Sequence, residues 1–226
     1  MVEGKPATKT ALYEAFAASG KALSSGKRLE LLDLLAQGER TVEALAKAAG
    51  LNLTTASAHL QTLKQAGFVA TRRDGVRIHY RLAGPDVAAL LVLLRKVAET
   101  HQAAVAPARD AYLGPAAGAE LTRDELLARS AAGEVVVLDV RPVEEYAAGH
   151  IPGAVSIPVA QLAERIAELP VDTDIVVYCR GEYCALAYDA VRLLHDYGRR
   201  GIRLHDGMLE WRLAELPVDT ADLDLV

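Results

Sequence analysis

Cysteine is nearly absent from this chain: there are two among 226 residues, Cys179 and Cys184, with four residues between them. So small a number excludes the disulfide framework of an extracellular scaffold and fits a reducing compartment. No apolar run is long enough to span a bilayer, which argues against a membrane protein. The N-terminal MVEGKPATKT has no apolar core followed by small residues, so no signal peptide is read. Internal repeats and low-complexity tracts are also missing. Together these absences predict a cytoplasmic protein.

What is present is length and a lopsided charge. At 226 residues, 51% of them hydrophobic, the chain can build two small cores. The formal net charge of −5 conceals an asymmetry: residues 1–84 carry 12 Lys+Arg against 7 Asp+Glu, and the remainder 13 against 23. A basic front and an acidic back predict that only the front meets a polyanion.

Residues 9–37 repeat apolar side chains at helical spacing, with a break near Ser24, Ser25 and Gly26, which predicts two helices. TVEALAKAAG opens on a Thr N-cap and closes on Gly50, and LNLTTASAHLQTLKQAG opens on Asn52 and stops at Gly67. FVATRRDGVRIHYRLAG alternates apolar and polar residues about Asp74-Gly75, a β-hairpin carrying Arg72, Arg73, Arg77 and Arg81. After Pro85 a helical stripe runs from Val87 to Val105; if helical through Tyr112 it would be on the order of 40 Å long, more than one small domain can cover. Residues 113–120, LGPAAGAE, have linker composition. Beyond them Thr122 and Glu125 form a capping box. The apolar strands EVVVLDV, AVSIP, DIVVYC and GIRLHDG then alternate with helical segments, VAQLAERIAEL and CALAYDAVRLLHDYG among them, the pattern of a parallel sheet covered on both faces.

Helix, tight turn, helix and basic hairpin is the order of a winged helix-turn-helix. Residues 20–84, with their HL..L..AG register and wing, resemble the ArsR-type bacterial repressors. The resemblance implies a recognition helix at about 53–66, with Thr54, Thr55, Ser57, His59 and Thr62 facing bases and phosphates and Arg72, Arg73 and Arg77 on the DNA backbone or minor groove. Ala58 stands where many relatives carry arginine. It also implies a homodimer on a pseudo-palindromic operator, and the apolar stripe of the helix at 86–112 supplies a physical reason for pairing. The segment that carries metal-sensing cysteines in many relatives reads GERTVEALAKA here and has no thiol. His101 with Glu99 and Asp110 is a thin version of a second metal site of that family, so no metal is expected, and no cofactor either.

The cysteine pair lacks the second ligand pair of a zinc site. A disulfide across so short a loop would remove little entropy from the unfolded chain. Cys179 ends an apolar strand and begins a short loop feeding a helix near Cys184. Loop amides and a helix N-terminus there would lower a thiol's pKa and hold an anion, with Arg180 assisting and Glu182 opposing. Over residues 120–218 the motifs LDVRPVEEYAAGHIPGAVSIP, DIVVYCRGEYCALAYDAV and DGMLEWRLAELPV resemble the rhodanese family.

By that resemblance Cys179 carries sulfane sulfur as a persulfide in the loop Arg180, Gly181, Glu182, Tyr183 and Cys184. Asp139 and Arg141 brace the site, and the turn from His150 to Ala154 shapes it. Cys184 falls where many sulfurtransferases place Thr or Ser; it could attack the persulfide, or simply pack the first turn of the helix. Phosphatases and arsenate reductases of this architecture need an arginine six residues after the cysteine, and Ala185 stands there. The expectation is therefore a two-domain protein: a mainly α winged helix-turn-helix at 1–112, a linker at 113–120 and an α/β rhodanese-like domain at 121–226. Its expected function is a dimeric repressor on double-stranded DNA that senses a sulfane sulfur donor through Cys179. The alternative is a sulfurtransferase with an autoregulatory DNA module.

Overall fold

The computed structural model describes residues 8–115 and 118–222. Positions 116–117 of the expected linker lie outside them. The chain divides into two compact units, Met1–Leu91 and Val92–Val226.

The first unit begins with helices α1 (Lys9–Leu23) and α2 (Gly26–Gln37), separated at Ser24 and Ser25 as expected. A two-residue strand β1 (Arg40–Thr41) leads into α3 (Val42–Ala48), and then comes α4 (Leu53–Gln65). The two N-caps read from the sequence are made: Thr41 Oγ1 accepts from the Ala44 amide, and Asn52 Oδ1 from Thr55 at 2.8 Å. Each satisfies one of the orphan donors of a helix start. Leu31, Leu35, Leu45, Leu60 and Leu63 form one buried cluster, which fixes α4 against α2 and α3.

Strands β2 (Val69–Asp74) and β3 (Arg77–Leu82) pair antiparallel, with β1 on the far side of β3. The hairpin turn differs by one residue from the expected one. Asp74 pairs with Arg77 and remains in the strand, so the loop is Gly75-Val76. Only Gly75 takes a positive φ, +57°. That is the glycine-first kind of two-residue turn, in which one left-handed residue suffices.

Helix α5 (Pro85–His101) places Val87 and Leu91 in the core of the first unit and continues into the second. The expected unbroken helix to Tyr112 is interrupted: α6 (Val105–Leu113) starts afresh. Pro107 accounts for the break, since in a continuous helix its ring would collide with the carbonyl of Ala103.

In the second unit β4 (Glu120–Leu121) precedes α7 (Arg123–Ala131), whose Thr122–Glu125 capping box is formed. Then follow β5 (Val135–Asp139), α8 (Val143–Ala147), β6 (Val155–Ser156), β7 (Asp174–Tyr178), α9 (Ala185–Asp196), β8 (Arg200–Leu204) and α10 (Met208–Leu213). The five strands are parallel in the order β4-β8-β7-β5-β6. Alternate residues of β7 serve opposite faces: Ile175, Val177 and Cys179 pack with α9, and Val176 and Tyr178 with Met208 and Trp211. Sheets covered on both faces need such uninterrupted apolar strands. The helix expected at 159–169 is instead two short 3-10 turns, Val159–Gln161 and Ile166–Glu168. Leu162 and Leu169 still reach the core, because apolar spacing of three and four serves either geometry.

Candidate functional site

Strand β7 delivers Cys179 to the C-terminal edge of the sheet, where open parallel sheets present their sites. Residues 180–184 then turn back into α9, closed by the Cys184 amide donating to Gly181 O at 3.1 Å. Cys184 is the N-cap of α9, in extended backbone and with no side-chain cap bond. The turn is held from behind by α10: the Met208 amide donates to Cys179 O at 2.9 Å and the Leu209 amide to Arg180 O at 3.0 Å. Gly207 makes this approach possible, since a Cβ there would run into the Gly181 backbone.

Both cysteines are free thiols. Cys179 is 2% exposed and Cys184 half-buried. The Cys179 Sγ donates toward Cys184 O at 3.4 Å and lies 3.8 Å from Gly181 O. Burial pushes the Cys179 thiol well above the usual cysteine range, and its hydrogen bond with Cys184 adds to this; the amides of Ala187 and Gly181 pull the other way. Cys184 is shifted down, first by the hydrogen bond from Cys179, then by Arg180 and the amides of Arg180 and Leu186. Of the two thiols, Cys184 is the one whose deprotonation its surroundings favour. The lowered pKa expected of Cys179 is thus found on its neighbour, because desolvation outweighs the loop dipoles at the buried position.

Around the pair lies a buried polar frame. Asp139 and Arg141 are both 0% exposed. The guanidinium of Arg141 donates to both Asp139 oxygens and to Gly149 O. Tyr178 donates to Asp139 Oδ2 at 2.6 Å and accepts from the Ile151 amide, tying the turn after His150 to the strand ends. Burial alone would lower the Arg141 pKa; the Asp139 carboxylate more than offsets it and holds the guanidinium charged. Burial and the same carboxylate keep Tyr178 a neutral phenol.

Arg180 is gripped by the buried carboxylate of Glu145 on α8, at 2.7 to 3.1 Å. Tyr183 donates to Glu99 of α5 at 2.7 Å. Glu182 lines a cavity of about 290 Å³ with Arg109, Arg203 and His205, and burial raises its carboxyl pKa.

In the first unit α4 turns Ala56, Leu60 and Leu63 inward. Thr54, Ala58, Gln61 and Gln65 are exposed along its outer face, while Thr55, Ser57, His59 and Thr62 are half-buried flanks. The Thr62 hydroxyl bonds back to Ala58 O. On the wing Arg72, Arg73 and Arg77 are exposed.

Bacterial regulatory proteins of the arsR family match residues 25–71, and the rhodanese-like domain family matches residues 122–214. The HTH-type transcriptional regulator Rv0324 of Mycobacterium tuberculosis is 60% identical over 216 residues, 96% of this chain and 95% of that one. The chain belongs to the ArsR family. It is a DNA-binding transcriptional regulator with a C-terminal rhodanese-like domain. A sulfurtransferase of Allochromatium vinosum is 35% identical over 86 residues, 38% of this chain and 78% of that one. Among solved structures, the homodimeric winged helix-turn-helix DNA-binding domain (fragment 1–100) Mb0332 of Mycobacterium bovis is 55% identical. It covers 45% of this chain and 94% of that one, with a TM-score of 0.41.

The regulator therefore brings Cys179, Arg180, Gly181, Glu182, Tyr183 and Cys184 into one loop, with Asp139 and Arg141 on the adjoining strand end. It engages Arg180 in an ion pair with Glu145 and the exposed Arg72 in one with Glu39. Glu99 and Asp110, two donors of the thin metal set, are both held by Arg109. Glu145, Gly207 and Gln61 were not singled out from the sequence. The first two act through long-range contacts, whereas Gln61 was legible as the residue three after Ala58 on the same helical face.

Proposed function

We propose that this regulator is a dimeric repressor whose cysteine pair accepts sulfane sulfur and thereby lowers operator affinity. The observation that carries the reading is the juxtaposition of two free thiols in the loop between β7 and α9, Cys179 buried with its Sγ 3.4 Å from Cys184 O and Cys184 half-buried at the start of the helix. Cys184, once it has lost its own proton, takes that of Cys179. The resulting Cys179 thiolate, faced by the Gly181 and Ala187 amides, attacks the outer sulfur of a persulfide RS–SH. The new Sγ–S bond forms as the RS–S bond breaks, and RS⁻ leaves with the electron pair. Cys184 then loses its proton to solvent and attacks the inner sulfur of Cys179–S–SH. A Cys179–Cys184 disulfide forms, and HS⁻ departs carrying the two electrons the thiols have given up.

Dimerisation is supported by apolar side chains left exposed on two helices, Tyr13 and Phe16 on α1 and Leu90, Leu93 and Val97 on α5. For DNA the outer face of α4 with Thr54 and Gln61, together with Arg73 and Arg77 of the wing, offers the contacts; Gln suits the paired donor and acceptor of adenine. The test treats reduced full-length protein with glutathione persulfide and records intact mass and affinity for the duplex upstream of its own gene. Wild type should gain one sulfur, then convert to a species lighter by the two thiol hydrogens, with weaker DNA binding; Cys179→Ser should do neither. Sulfur uptake with unchanged affinity would point to a sulfurtransferase instead.

A further inference from the structure

The loop that carries the cysteine pair also carries Tyr183, a side chain committed outside the sulfur site. Its hydroxyl donates to Glu99 Oε2 at 2.7 Å, and its ring lies 5.9 Å from the guanidinium of Arg95. Arg95 and Glu99 are one helical turn apart on α5. Glu99 is held on its other side by Arg109 of α6. The same α5 places Val87 and Leu91 in the core of the DNA-binding unit. One helix thus has a foot in that core and a hydrogen bond to the sulfur loop.

The chemistry at the pair acts on the backbone that flanks Tyr183. In the thiol state the Cys179 S–H is directed to the carbonyl of Cys184 and faces that of Gly181. In the disulfide no S–H remains, and in the persulfide the donor has moved one sulfur outward. Either product withdraws the donor these carbonyls share. An extra sulfur on a residue only 2% exposed must also be accommodated, and residues 180–184 beside it belong to neither a strand nor a helix. Residue 183 lies between the two carbonyls, so a turn of both would carry it along.

Resting on the sensor reading, we infer that the Tyr183–Glu99 hydrogen bond is the link through which sulfur on the cysteine pair changes the setting of α5, and with it the DNA-binding module. The thiol state keeps the bond and the module in its DNA-binding setting. The sulfur-modified loop releases Glu99 to Arg109 alone. Coupling between sites of this kind typically changes affinity roughly 5- to 150-fold.

Tyr183→Phe removes the hydroxyl and keeps the ring over Arg95, and Glu99→Leu removes the acceptor. Operator affinity before and after glutathione persulfide is to be measured for wild type, each variant and the double variant, with sulfur uptake followed by intact mass in the same samples. The wild-type ratio of the two dissociation constants should be at least about fivefold. Glu99→Leu, which lies outside the sulfur loop, should take up sulfur as wild type does, and in each variant and the double variant the ratio measured on sulfur-loaded protein should lie within about twofold of one. A Tyr183→Phe protein that keeps the full wild-type ratio overturns the inference while leaving the sensor reading intact. A wild-type protein that takes up sulfur with no change in affinity overturns the sensor reading and the inference together.

Discussion

At the scale of single residues, the decisive contest is between burial and dipoles at two sulfurs. Cys179 has the strand-end position that favours an anion, but it is buried deeply enough that its thiol is pushed up; Cys184, at the mouth, is pulled down. Neutral-pH reactivity of Cys179 then depends on Cys184 as proton acceptor. In Cys184→Ser the rate of sulfur uptake at Cys179 should fall at pH 7, and its pH midpoint should move upward, because no lower-pKa neighbour remains to take the proton. Stopped-flow uptake across pH checks this, and an unchanged midpoint contradicts it. The Asp139–Arg141 pair has a different role. Asp139→Ala leaves a buried guanidinium without its main partner, a loss worth about 3–5 kcal/mol. Trp211 is the sole tryptophan and is buried in the second unit, so urea unfolding followed by its fluorescence reports that unit alone. The midpoint should drop accordingly.

At the scale of elements, helix starts were legible because capping is local chemistry: Thr41, Asn52 and Thr122 each bond an amide three residues on. The central strands β5 and β7 were legible because a strand buried on both faces is an unbroken apolar run, whereas the two-residue β4, at the end of the expected linker, was not. The 159–169 segment is ambiguous in sequence, since its apolar spacing does not separate an α-helix from 3-10 turns. The break before α6 was signalled by Pro107 but overridden by the strength of the apolar stripe. Within the site, the six loop residues could be read from one short motif. Their partners could not: Glu145 meets Arg180 across 35 residues and Glu99 meets Tyr183 across 84, separations no local pattern encodes. The exposed Leu90, Leu93 and Val97 of α5 lead to a prediction at this scale. Leu93→Glu together with Val97→Glu should convert a dimer to monomer in sedimentation and weaken operator binding, because two half-sites then lose their tether. A double variant that stays dimeric would place the interface elsewhere.

At the scale of the whole molecule, a basic helix-turn-helix unit and an acidic rhodanese-like unit share one chain, and α5 contributes to both. Operator affinity should fall steeply as salt rises, through counterion release from the phosphates. A binding constant flat between low and moderate salt would contradict the assignment of the wing arginines. The account stands or falls on communication between the two units. The most direct measurement is fluorescence anisotropy of a labelled operator duplex titrated with one full-length sample in three states: reduced, treated with glutathione persulfide, and treated then re-reduced with dithiothreitol. The account predicts tight binding, weakened binding and restored tight binding, in step with sulfur gained and lost by mass. Three superimposable curves, with sulfur demonstrably on the protein in the second state, would contradict it.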